Sequence, residues 1–152
     1  MGIENFIRHL VFAVVSLLLL CTSSVASKEG QISVSSIEIL SFYSSKQEFL
    51  ISLDFAEPLQ SAPINASIRL GLGKVFSAPD FKSSGRLITL SQTAESAMEM
   101  RLTTYKNNAL PVYWKIMSAP NDNVDLSIDM SLTLEGGVSH NYQYSGDVEL
   151  VY

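Results

Sequence analysis

From Gly30 onward apolar side chains recur at every second position, a period that puts them all on one face of a strand and would scatter them around a helix. The clearest run is Val124, Leu126, Ile128, Met130, Leu132 and Leu134, set against Asp125, Ser127, Asp129, Ser131 and Thr133. Phe49, Ile51, Leu53 and Phe55 alternate with Leu50, Ser52 and Asp54, and Ile64, Ala66, Ile68, Leu70 and Leu72 with Asn65, Ser67, Arg69 and Gly71. Met98, Met100 and Leu102 follow the same rule, as do Leu110, Val112, Trp114 and Ile116.

Turn-forming clusters separate these runs: Glu57-Pro58, Ala62-Pro63, Ala78-Pro79-Asp80, Ser83-Ser84-Gly85, Lys106-Asn107-Asn108, Ala119 to Asn123 and Glu135-Gly136-Gly137. About eight strands over one core's worth of chain predict an all-β protein, a single antiparallel β-sandwich. One helical turn at most is expected, over Thr93 to Met98. No repeat, low-complexity linker or second domain is visible.

The first residues follow a different logic. Arg8 and His9 precede an almost unbroken apolar run from Leu10 to Cys21, and small polar residues follow. This is the pattern of a secretory signal peptide over residues 1–26, cut after Ala26 or, as the near alternative, after Ser27. Its apolar run is shorter than the ~20 residues a membrane span needs, so no stable membrane anchor is expected. Cys21 follows Leu20, where bacterial lipidation requires a small residue. Cleavage would remove this one cysteine, and with it disulfides and thiolate chemistry. About 125 residues would remain, enough for one hydrophobic core.

The chain carries 10 basic and 15 acidic side chains, a net charge of −5. The leading segment holds one of each, Arg8 and Glu4, so the balance survives cleavage. No basic patch stands out, which argues against nucleic acid as a partner.

Catalytic chemistry finds little footing. Beyond the leading segment His140 is the one imidazole, expected in a polar loop from Gly137 to Asn141, and the serines lie in turns and on polar faces. Asp122, Asp125 and Asp129 match no calcium-loop spacing. Glu95, Glu99 and Glu149 lack a context that would raise a carboxyl pKa for glycosidase work. No catalytic, metal-binding or cofactor-binding residues are therefore assigned, and no enzyme activity or cofactor is expected. Asn65-Ala66-Ser67 fits a glycosylation sequon, a pattern frequent by chance. Trp114, in phase with Val112 and Ile116, is expected in the core, with Tyr113 facing solvent.

The two ends of the exported part are unusual. Ile32 and Val34 share one phase, and after Ser35-Ser36 the phase switches to Ile37 and Ile39. The switch marks either a β-bulge or sheet switch in an edge strand or the boundary of an N-terminal extension, residues 27–36, ahead of a domain spanning 37–152. The final strand, Tyr144-Ser145-Gly146-Asp147-Val148-Glu149-Leu150-Val151-Tyr152, sets Val148, Leu150 and Tyr152 on one face.

A short extension bearing apolar residues and a last strand of the form aromatic, polar, Gly, then alternating apolar residues resemble a chaperone–usher fimbrial (pilin) subunit, most like the cysteine-free CS1-type and common-pilus groups. The resemblance implies an immunoglobulin-like sandwich lacking a strand, completed by a donor strand from another molecule. It implies Ile32 and Val34 as donor-strand residues, and Val148, Leu150 and Tyr152 as the border of the groove that a periplasmic chaperone, and then a neighbouring pilus subunit, would fill. It further implies an outer-membrane usher as partner, transit through the periplasm, a place in a surface fimbrium, and a host-surface receptor if the subunit is adhesive. Against it stands a self-contained exported β-sandwich that binds a glycan, a small molecule or a protein.

Overall fold

A computed structural model describes residues 27–75 and 85–152. The leading segment, Cys21 and the turn residues Ala78, Pro79, Asp80, Ser83 and Ser84 lie outside the described residues. Seven strands form one hydrogen-bonded sheet. They are β1 (Ser27–Tyr43), β2 (Lys46–Phe55), β3 (Pro63–Leu72), β4 (Arg86–Ala94), β5 (Ala97–Tyr105), β6 (Asn123–Leu134) and β7 (Ser139–Val151). Their lateral order is β3-β6-β7-β1-β2-β5-β4.

Only one face of this sheet is apolar, and its two halves share one core. Phe49, Ile51 and Leu53 from β2, Met100 and Leu102 from β5, and Leu126, Ile128, Met130 and Leu132 from β6 all belong to a single buried cluster. A sheet whose one face supplies both sides of a common core must fold over on itself, so the architecture is an all-β sandwich. One layer runs β1-β2-β5-β4 and the other β7-β6-β3, which is the immunoglobulin-like arrangement of ABED against CFG. Among the described residues no helix is long and apolar enough to cross a membrane.

β1 is the stitch between the layers. Ser27 to Gln31 run parallel to β7, Ile32 to Val34 pair antiparallel with β2, and Ile37 and Glu38 have ladder partners on both sides. Ile37 stands opposite Ile51 of β2 and Leu150 of β7, and it is fully buried. The register shift between Val34 and Ile37 is the β-bulge that the phase switch at Ser35-Ser36 allowed. The strand that carries it is interior rather than an edge, and no break separates residues 27–36 from the rest of β1.

Several sequence expectations change. Leu110 to Ile116 is not a strand: Ala109–Met117 forms a helix, α1, which buries Ala109, Val112 and Ile116. The same residues satisfy a period of two at 110, 112, 114 and 116 and a helical one at 109, 112 and 116. Pro111 decides between them, because a first-turn proline loses no helical hydrogen bond whereas an interior strand proline breaks a ladder. Trp114 consequently lies on the outer face, 62% exposed, and Tyr113 stacks on Phe42 with ring centroids 5.0 Å apart.

Thr93 to Met98 makes no helical turn; Glu95 and Ser96 form a tight hairpin turn between β4 and β5. In β3, Ile64 and Ala66 are exposed while Leu70 and Leu72 are buried, since β3 is an edge strand whose first half overhangs the core. His140 is not in a loop: β7 begins at Ser139, and the imidazole is half-buried.

One buried polar pair completes the core. Gln47, in phase with Phe49 and Ile51, faces inward, where the Thr104 hydroxyl donates to its side-chain oxygen and its amide donates to the Tyr43 carbonyl. Both groups are thereby relieved of the cost of burial without a partner.

Because Ile37 is buried between both layers while Ile39 is only partly so, Ile37→Ala should cost about 2–5 kcal/mol and Ile39→Ala clearly less, as measured by urea unfolding.

Candidate binding seam between the first and last strands

The residues singled out in the sequence meet along the contact of β1 with β7. Ile32 and Val34 pack, half-buried, against the core of their own chain, and Val148 and Leu150 are buried within that core. Tyr152 leaves the group. It lies beyond the end of β7, 73% exposed, with its hydroxyl 3.5 Å from Asp122 Oδ1. The chain has left the sheet by that point, so alternation no longer sets the direction of the side chain.

The seam is paired at both ends and interrupted in the middle. Gln31 faces Gln143 and Ser36 faces Glu149, but β1 has no ladder partner in β7 between them. Over that interval Ile32, Ser33 and Val34 turn to Phe55, Asp54 and Leu53 of β2.

At the N-terminal end the seam is closed by shape. Gly30 lies opposite Tyr142, and a Cβ placed on Gly30 would stand 2.4 Å from Tyr142 Cε1, closer than any real contact. The ring cannot easily retreat, because it is buried with the Phe55 ring 4.9 Å away on one side and the His140 ring 6.3 Å away on another. Gly30 is therefore the residue that lets β1 lie flat against Tyr142. Only the contact reveals this role, since a lone glycine after Lys28-Glu29 carries no signal of it.

Beside this contact opens a cleft of about 320 Å³, lined among others by Glu29, Gln31, Glu57, Gln60, His140 and Tyr142. Burial pushes the Tyr142 phenol above its ordinary pKa, and the charge of Glu57 pushes it further the same way. His140, which the sequence placed in a solvated loop, is thus part of the one region where polar and aromatic side chains converge on the seam.

The carboxylates elsewhere do not assemble into a site. Asp125 and Asp147 face each other across β6 and β7 on the solvent side. A shared hydrogen bond with Asp125, then the repulsion of its charge, raises the Asp147 pKa. Among the described residues no group of three or more His, Cys, Asp or Glu side chains is placed to hold a metal ion.

No protein-family model matches this chain, and no curated protein matches it.

Two outcomes follow from these contacts. Gly30→Ala should destabilise by about 1–3 kcal/mol through overpacking, and a second change, Tyr142→Leu, should recover part of that loss, a coupling readable in a double-mutant cycle. For the carboxylate pair the sign is set by a raised native pKa: the proton favours the folded state, so stability falls as pH rises through the carboxylate range. Asp147→Asn should therefore melt above the parent protein at pH 7, with the gap shrinking at acid pH and in high salt.

Proposed function

We propose that this chain is an exported, self-contained immunoglobulin-like module that acts by binding at the cell surface. The observation that carries this reading is the position of β1: Ile37 and Glu38 are laddered to β2 and β7 at once, so the chain's own first strand joins its two layers. A sandwich joined in this way has a core complete in one molecule, and its work then lies in what its surface recognises. The apolar leading segment supports export.

A second reading, the structural or adhesive fimbrial subunit, keeps one specific support. The seam is interrupted between Gln31 and Ser36, and the segment before the interruption is held to β7 by five residues, Ser27 to Gln31. If that segment let go, Val148 and Leu150 would border a groove open to a donor strand from a chaperone or a neighbouring subunit.

Amide exchange and a deletion separate the two. The self-contained reading expects slow exchange at Ile32, Val34 and Ile37 in a monomer, and marked destabilisation when residues 27–36 are removed, reversed by adding a peptide of those residues. Fast exchange across β1, with a stable deletion variant that takes up extended peptides of foreign sequence, would overturn it in favour of the fimbrial subunit.

A further inference from the structure

The short helix α1 is apolar on both sides. Ala109, Val112 and Ile116 face the core, while Leu110, Trp114 and Met117 form a stripe on the opposite side and are 51%, 62% and 59% exposed. A single exposed leucine needs no explanation, but a helix apolar on both sides belongs where both can be covered. The indole does not stand alone. The Tyr113 ring meets it edge-on at 5.4 Å and stacks on Phe42 at 5.0 Å, which ties the stripe to the end of β1.

The strand ends beside α1 continue the same chemistry. Tyr43, Lys46 and Tyr105 are register partners across β1, β2 and β5, so their side chains share the outer face of the sheet, where Tyr43 and Lys46 are exposed. Lys106, the next residue, sets its ammonium 5.5 Å from the centre of the Tyr105 ring. Residues 100–121, which include α1, contain no acidic side chain, although acidic side chains outnumber basic ones in the whole chain. The carboxylates that come near are occupied elsewhere: Glu48 pairs with Lys46 at 3.5 Å, and Asp125 and Asp147 line a cavity with Lys115 in which the stripe takes no part.

We propose that this end of the sandwich docks on the surface of a bilayer with anionic headgroups. Leu110 and Met117 enter the acyl boundary, Trp114 and Tyr43 lie at headgroup level, where a ring with one polar atom is best placed, and Lys46 and Lys106 meet the phosphates. A second copy of this chain is a poorer occupant, because a two-fold contact would set two groups of lysines against each other. The inference names a partner for the cell-surface binding proposed above and rests on that reading.

Trp114 is the chain's one tryptophan, so its fluorescence reads the patch without a label. The test uses residues 27–152, which contain the whole core, so that the apolar leading segment cannot itself bind lipid. Vesicles of phosphatidylcholine and phosphatidylglycerol in equal parts are compared with vesicles of phosphatidylcholine alone. The anionic vesicles should shift the Trp114 emission to the blue and shield it from acrylamide, with binding at least about tenfold tighter than to the neutral ones and weakened by salt.

Leu110→Ser with Met117→Ser, both on the exposed side, should weaken binding about tenfold or more while leaving the probe in place. Lys46→Gln with Lys106→Gln should remove most of the preference for anionic vesicles, and Ile64→Ser, an exposed apolar residue at the start of β3, should change nothing. No blue shift with anionic vesicles, equal shifts with both kinds, or a shift that appears without lipid as the protein is concentrated, the mark of a second copy on the stripe, overturns the inference. Amide exchange on the same sample tells the failures apart: protected β1 amides with no lipid binding refute the lipid partner alone, and unprotected β1 amides with none refute both readings.

Discussion

The fold depends on one strand being hydrogen-bonded in two directions. β1 leaves β7 at Gln31, pairs with β2 through Ile32 to Val34, and after the bulge meets both neighbours at Ile37 and Glu38. Without that double pairing the layers β2-β5-β4 and β7-β6-β3 would share apolar surface but no hydrogen bonds, and each would expose an extra sheet edge. The bulge makes the change of partner workable, because the extra residue lets Ile37 return to the core after Ser35 and Ser36. A sequence irregularity that first looks like a defect in one strand is the point at which the sandwich is joined.

Alternation located most of the strands because strand side chains have a fixed two-residue period and the core takes one face. Where both faces of an element have some apolar character, the period stops being decisive. Leu110 to Met117 shows this well: Val112 and Ile116 are buried in the helix as they would have been in a strand, while Leu110, Trp114 and Met117 point outward. Pro111 was the available signal, and it carried more weight than the hydrophobic pattern. Tyr152 and Ile64 fail for a different reason, since they sit where the chain leaves or overhangs the core and alternation has nothing to pack against.

The seam was legible only in part. Ile32, Val34, Val148 and Leu150 were visible as unusual strand residues near the start of β1 and the end of β7, and all four contribute to the one core. Gly30, Tyr142 and His140 were not, because their relation is a close approach between residues more than a hundred positions apart. The glycine has no side chain to announce a contact, and the histidine gains its environment from the ring beside it. The cleft that these residues border is accordingly a product of tertiary contact, as is the raised pKa of Tyr142, which arises from burial and from Glu57 across a loop.

The sequence by itself determined the β class, the inward faces of β2, β5 and β6, and a break of phase at Ser35-Ser36, because these follow from local period and turn chemistry. Only the tertiary structure decided that β1 is an interior strand, that Ala109–Met117 is a helix on the flank of the sandwich, and that Tyr142 lies over Gly30 beside an acidic cleft. Those facts depend on which distant backbone offers hydrogen bonds and which distant side chain occupies the adjoining space, and neither is encoded in the spacing of residues along the chain.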